Sequence, residues 1–287
     1  MLIEKIKGLK LSADLGGTQL LDLQIAGRDE NQTKDIFNGV EALLGMAKMG
    51  AAMGTAQLQE ESPKMATLVS SIVQQLNSKN NGDVVQLTIE KPEGFDETVA
   101  EFATVVRSQA ELANNMNRLK RVILAVHNYD ISMSGLPFSA RDGEGKHSWR
   151  TRVLPYLEEA ALLDDLDMKK NWDDPANEAL TKQETIDTYC DGNGKCDIWY
   201  VRSANAPEKF ADILDGTSNT IMMILKPSDG NWYEPKDLSV DDAVTYWESL
   251  KEGDKLIVGF YDGSVRALDK STTAEEFRSM LEPNDGK

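Results

Sequence analysis

From Phe95 to Tyr129 the chain reads FDETVAEFATVVRSQAELANNMNRLKRVILAVHNY, with no proline and no internal glycine. Val99, Phe102, Val106, Leu112, Met116, Leu119, Ile123 and Val126 recur every three or four residues apart from one step of six between Val106 and Leu112, which lines one face of an α-helix. The run predicts one helix on the order of 50 Å long, at about 1.5 Å rise per residue. So long a helix needs support along its length. It is expected as a spine, with its first half docked on the residues before it and its second half carrying those after it. The alternative is two helices broken near Asn114-Asn115.

Ahead of the spine, GLKLSADL and TQLLDLQIAG alternate apolar and polar residues around Gly16-Gly17, the pattern of a β-hairpin. NQTKDIFNGVEALLGMAKMGAAMGTAQL then places Ile36, Val40, Leu43, Leu44 and Ala47 at helical spacing. SPKMATLVSSIVQQLNSK opens a second amphipathic helix on Ser-Pro, with Leu68, Ile72 and Leu76 on one face. After the Asn81-Gly82 turn, DVVQLTIEKP returns as a strand. The order ββααβ predicts a small antiparallel sheet covered on one face by helices, an α+β domain over residues 1–94. Met46, Met49 and Met53 are expected as flexible core fillers, the alternative being a partner-binding helix face.

Beyond the connecting helix, assigned to residues 95–130, the texture changes. Gly135-Leu136-Pro137 ends the helical region, RDGEGKHSW is a loop, and TRVLPYLEEAALLDDLDM is helical but punctuated by proline. IWYVRS, TIMMIL, LIVGFY and SVRALD are rich in β-branched and aromatic residues between turn formers, so residues 131–287 are expected to hold an antiparallel sheet. The fold class is α+β throughout.

Charge narrows the partners. Asp and Glu outnumber Lys and Arg 48 to 31, and a net charge of -17 repels nucleic-acid phosphates and anionic lipid headgroups. No window approaches the roughly 18 apolar residues of a spanning helix, so no membrane segment is expected. MLIEKIKGLKLS lacks the apolar core and cleavage site of a signal peptide, which leaves a cytoplasmic chain or one whose export segment lies elsewhere.

Several stretches are candidates for chemistry. In ILDGTSNTIMMIL, Asp215, Gly216, Ser218 and Asn219 can form a phosphate loop, a nucleophile turn or a plain tight turn. A phosphate loop wants a lysine and a helix after the last glycine, whereas a β-branched run follows. A nucleophile elbow wants glycine where Thr220 stands. The tight turn is the favoured reading, with the Asp215 and Ser218 side chains accepting from nearby amides. Asp262-Gly263 reads as a type I′ hairpin turn.

His147, Trp149 and Arg150 gather an imidazole, an indole and a guanidinium on one loop. Ser148 is expected to cap the helix that follows, and Arg150 or Arg152 to meet an acidic partner such as Asp173. With Trp172 and Trp232 they form a candidate ligand site for a carbohydrate or small solute. His127 is expected to be packed. Cys190 and Cys196 bracket a glycine-rich turn, so a small-loop disulfide or two free thiols are both open. Asp191, Asn193 and Asp197 resemble the start of a calcium loop but lack its closing glutamate. No metal or cofactor is expected.

NRLKRVILAVHNY followed by LP, then HSWRTRVLPYLEEAAL, NWDDPAN, ILDGTSNTI, WYEPKDL and GFYDGSVRAL resemble the ordered landmarks of a bacterial domain-of-unknown-function family abundant in planctomycetes. The resemblance covers roughly Asn114 to Leu268. It implies a type II secretion pseudopilin-like architecture, a long prepilin-type helix packed on an antiparallel sheet, and an extracytoplasmic habit. This chain departs from the pattern in two ways. The α+β domain stands where the family carries an apolar membrane half, and Glu252 stands ten residues before Asp262 where the family has histidine. The expected role is that of a non-enzymatic extracytoplasmic structural or interaction protein, working through protein partners or self-association. The alternatives are a carbohydrate or small-solute binding module and, third, a hydrolase.

Overall fold

The computed structural model describes every residue except 1, 139–142, 144–145, 158, 183–184, 192–194, 229 and 284–287. The chain is α+β and divides into two compact units, Met1–Ala110 and Glu111–Lys287.

In the first unit, β1 (Ile6–Ala13) and β2 (Gln19–Gly27) form the expected hairpin. α1 (Glu30–Glu61) follows, its first turn capped by the Asp29 carboxylate accepting from Gln32 N at 2.8 Å, and α2 (Pro63–Gln74) opens on its proline. β3 (Ser78–Asn80), a strand too short for the sequence pattern to signal, and β4 (Val84–Glu90) complete a sheet of order β1-β2-β4-β3. Register sorts the two faces. Leu23 opposes Leu87 and Ile25 opposes Val85, while Asp22 opposes Thr88 on the other face and accepts from Gln86 Nε2 at 2.7 Å. The apolar face buries Ile25 and Val85 against Ile36 of α1, with Phe37 and Val40 beside them.

The methionines correct the expectation of core filling. Met46, Met49 and Met53 are 57%, 67% and 81% exposed, with Leu43 beside them at 61%. α1 spends its opposite face on α2 and the sheet, so this stripe points outward.

α3 (Phe95–Met133) is one uninterrupted helix, not two, and ends where Ser134 takes a left-handed φ of 56°. Within the first unit Val99, Val105 and Val106 of α3 are exposed. Within the second, Leu119, Val122, Ile123 and Val126 are fully buried.

The second unit continues with two short helices, α4 (Trp149–Arg152) and α5 (Glu178–Lys182). Strands β5 (Ile198–Arg202) and β6 (Ile221–Leu225) follow. Next come β7 (Leu238–Ser239), α6 (Val240–Ser249), β8 (Leu256–Phe260), β9 (Val265–Leu268) and α7 (Ala274–Leu281). The sheet has order β7-β5-β6-β8-β9 and is antiparallel except for β7, which pairs parallel to β5. Ile198, Tyr200, Met223 and Ile257 pack with α3, while Trp199, Ile224, Val258 and Phe260 pack with α6 and α7. Helices on both faces explain why IMMIL and LIVGF are unbroken apolar runs rather than alternating ones. α6 and α7 correct the expectation of strands and loops alone after β6.

Gly259 brings β8 close to α3. A Cβ there would stand 2.2 Å from Ile123 Cδ1 and 3.3 Å from Leu119 Cδ2. The β8–β9 turn is not type I′, because Gly263 takes a positive φ of 89° while Asp262 does not. Instead Gly263 N donates to Phe260 O at 3.1 Å, and the Asp262 carboxylate accepts from Ser264 N at 2.8 Å.

Candidate functional site

The His147–Arg152 segment enters the second unit through a local cap. Ser148 Oγ accepts from Arg150 N at 3.2 Å, starting α4 as the sequence implies. The short helix then directs its side chains two ways.

Arg150 goes inward, which corrects its placement in a ligand site. It is fully buried, donates from Nε and Nη2 to Ile198 O at 3.2 and 2.5 Å, and lies between the Trp149 and Trp199 rings at 4.7 and 4.9 Å. It takes a backbone carbonyl where an acidic side chain was expected.

His147, Trp149 and Arg152 instead border a cleft of about 180 Å³, completed by Phe138, Lys146, Arg202, Pro235 and Asp237. Arg152 Nη1 donates to Pro137 O at 3.0 Å. Arg202 donates to Asp237 Oδ2 from Nε at 2.9 Å and from Nη2 at 2.6 Å, and to Phe138 O at 2.5 Å. Phe138 stacks on Tyr200, their centroids 3.6 Å apart, and Tyr261 donates to the Tyr200 hydroxyl at 3.4 Å. Burial raises both phenols, Tyr261 the further, so they stay protonated hydrogen-bonding groups. Three basic side chains and one carboxylate border this cleft, a local balance opposite to that of the whole chain. The arrangement suits a small anion. Lys146, Arg152 and Arg202 were absent from the sequence-based site, and a high density of basic residues from Lys146 to Arg152 in so acidic a chain was the available signal.

The other aromatics do not form a platform. Trp232 is fully buried, stacked on Tyr189 at 5.9 Å and edge-on to Tyr233, which in turn meets Trp172 at 5.7 Å. They line the core of the second unit, and filled packing under Trp232 removes it from the ligand site. His127 is half-buried against Phe210, at 4.5 Å between centroids.

The Asp215–Thr220 loop is a tight turn in which Gly216 takes a positive φ of 92°. The Gly216 carbonyl accepts from Asn219 N, Thr220 N and Thr220 Oγ1 at 3.0, 3.2 and 3.1 Å, and Asn219 Nδ2 donates to Asp215 O at 3.0 Å. Ser218 contributes its backbone carbonyl, which accepts from Arg266 Nη2 at 3.1 Å. Asp215, Asn219 and Thr220 border a second cavity of about 600 Å³ with Arg266, Glu275 and Glu276.

Of the calcium candidates, Asn193 lies outside the described residues. Asp191 accepts from Lys195 N at 2.9 Å. Asp197 is buried and paired with Arg118 of α3, whose Nη2 donates to it while Nη1 donates to the Cys190 carbonyl. Burial raises the Asp197 carboxyl, against the pull of Arg118. Among the described residues no group of three or more His, Cys, Asp or Glu converges as metal ligands do, and no helix is long and apolar enough to cross a membrane. Cys190 and Cys196 carry free, buried thiols across a local β-bridge.

No curated protein and no solved structure matches the chain. The model of one family does, over residues 110–191: SBP_bac_10, described as a protein of unknown function (DUF1559). The matched stretch runs from α3 through α4 and α5 to Asp191, stops before β5, and is similar to a bacterial domain whose role is not known.

Proposed function

We propose that this chain is a non-enzymatic, extracytoplasmic interaction protein of pseudopilin-like type that works by assembling with protein partners. The observation that carries the reading is the outward stripe of Leu43, Met46, Met49 and Met53 on α1. Residues three or four apart share one helix face. Flexible, polarisable methionines adapt to varied apolar partners, and contiguous exposed apolar surface is a common mark of an interface. Gly45, Gly50 and Gly54 leave open space along the same helix, so a partner can approach its backbone closely. The expected result is association of the purified protein, or capture of a cell-envelope partner, that is lost in a Met46→Ser/Met49→Ser/Met53→Ser variant of unchanged melting temperature. Strictly monomeric protein with no envelope partner would sink the proposal.

A second reading rests on the cleft bordered by Lys146, Arg152 and Arg202: binding of a small anionic solute. Calorimetric titration with di- and tricarboxylates, repeated on Lys146→Gln, tests it. Heats unchanged by the substitution would remove the cleft.

A further inference from the structure

Cys190 and Cys196 face each other across a single antiparallel bridge. The backbone bonds beside them define the kind of pair they form. Asp191 N donates to Lys195 O at 2.8 Å and Asp197 N to Tyr189 O at 3.1 Å, while no bond joins the two cysteines directly. This is the narrow, non-hydrogen-bonded position of an antiparallel ladder, where side chains project to one side and Cα atoms stand about 4.5 Å apart. That separation falls within the roughly 4.4–6.8 Å that a disulfide spans. Both side chains are buried in the core of the second unit beside Tyr189 and Ile198. The bridge is anchored from both ends: Cys190 N donates to Ile186 O at 2.9 Å, and Lys226 N to Asp197 O at 2.7 Å. Arg118 spans its open side by donating to the Cys190 carbonyl and the Asp197 carboxylate.

We infer that Cys190 and Cys196 are a cross-strand redox pair, which a disulfide-donating oxidant converts to an intramolecular disulfide without rearranging the fold. In the first step one cysteine thiolate attacks a sulfur of the donor disulfide, forming a mixed disulfide and releasing one donor thiol. The second cysteine thiolate then displaces the other donor thiol. Two electrons pass to the donor, the two cysteine protons end on the two donor thiols, and one sulfur–sulfur bond replaces another. The bond closes the short Cys190–Cys196 loop beside the Arg118 contacts to Cys190 and Asp197.

Burial raises both thiols, so little thiolate exists in the folded, reduced protein and the exchange is slow there. The bond therefore forms while the chain folds or opens locally, and once formed it is shielded from reductant. This goes beyond assembly through α1, and its test does not depend on that reading.

The full chain is refolded in a mixture of reduced and oxidised glutathione and compared with the same chain folded in dithiothreitol. The expected product carries no intermolecular disulfide, is lighter by two hydrogens, and gives a linked pair of tryptic peptides, because trypsin cuts after Lys195 between the two cysteines. It should melt higher than the reduced protein by roughly 5 °C. Glutathione adducts or intermolecular disulfides in place of the internal bond would overturn the inference, as would a linked protein that melts no higher than the reduced one. The comparison uses the natural sequence throughout, so it does not rely on a cysteine variant that fails to fold.

Discussion

Arg118 and Asp197 pair their charges inside the second unit, with side chains only 8% and 6% exposed. Each needs the other, since a lone buried ion loses its hydration with nothing in exchange. Arg118→Met should therefore cost about 3–5 kcal/mol, while Arg118→Met/Asp197→Leu, which removes both charges, should regain most of that. Urea midpoints for the wild type, both single variants and the double variant measure the coupling directly. Additive losses would mean that the pair does not interact.

Gly259 sets how near β8 lies to α3. An alanine methyl would meet Ile123 and Leu119, both fully buried and without room to withdraw. Gly259→Ala should cost about 1–3 kcal/mol by overpacking. Ile123→Val in the same chain removes the methyl that stands nearest, so Gly259→Ala/Ile123→Val should recover part of the loss. Thermal unfolding of the three variants decides whether the strain is at this contact.

These two positions also show what the sequence made legible. The helical period around Ile123 is unmistakable because nothing between Phe95 and Met133 interrupts it, and the β-branched runs gave away four strands of the second sheet. The buried arginine was hidden, because Arg118 and Lys120 look alike on paper and only the fold puts one of them opposite Asp197. α6 and α7 both start on capping residues that the sequence displays. Ser239 caps α6 through Asp242 N at 3.1 Å, and Thr273 with Glu276 forms a capping box at the start of α7. Trp247 of α6 stacks on Phe277 of α7 in the core. Exposure of Met46, Met49 and Met53 could not be read from α1 alone, since apolar residues occupy more than one of its faces.

Arg150 holds its carbonyl partner from between two indole rings. The planar fork reaches Ile198 O from two nitrogens, and its flat faces stack where a lysine ammonium offers no plane. Arg150→Lys should destabilise the protein by about 2 kcal/mol, and Arg150→Met by more, because the buried Ile198 carbonyl then loses its side-chain donor. Chemical denaturation gives both values. Equal stability of wild type and Arg150→Lys would show that the fork geometry contributes nothing.

Glu41 of α1 ties the first helix to β3. Its Oε1 accepts from Ser78 Oγ at 2.7 Å and from Ser78 N at 2.8 Å. Those two bonds favour the ionised form and hold the carboxyl below its ordinary value, with Lys48 adding a smaller pull in the same direction. A carboxyl lowered on folding stabilises the protein above its unfolded pKa, about 4.3, and that contribution drains away as pH falls through the folded value. Asp197, raised by burial, has the opposite sign and contributes less as pH rises past its unfolded value. Glu41→Gln keeps an oxygen for Ser78 but cannot titrate. Urea midpoints measured from about pH 6 down to about pH 3 should therefore fall more steeply for the wild type than for Glu41→Gln, with the gap opening below about pH 4.5. Parallel curves would mean that the Ser78 contact does not favour the charged form.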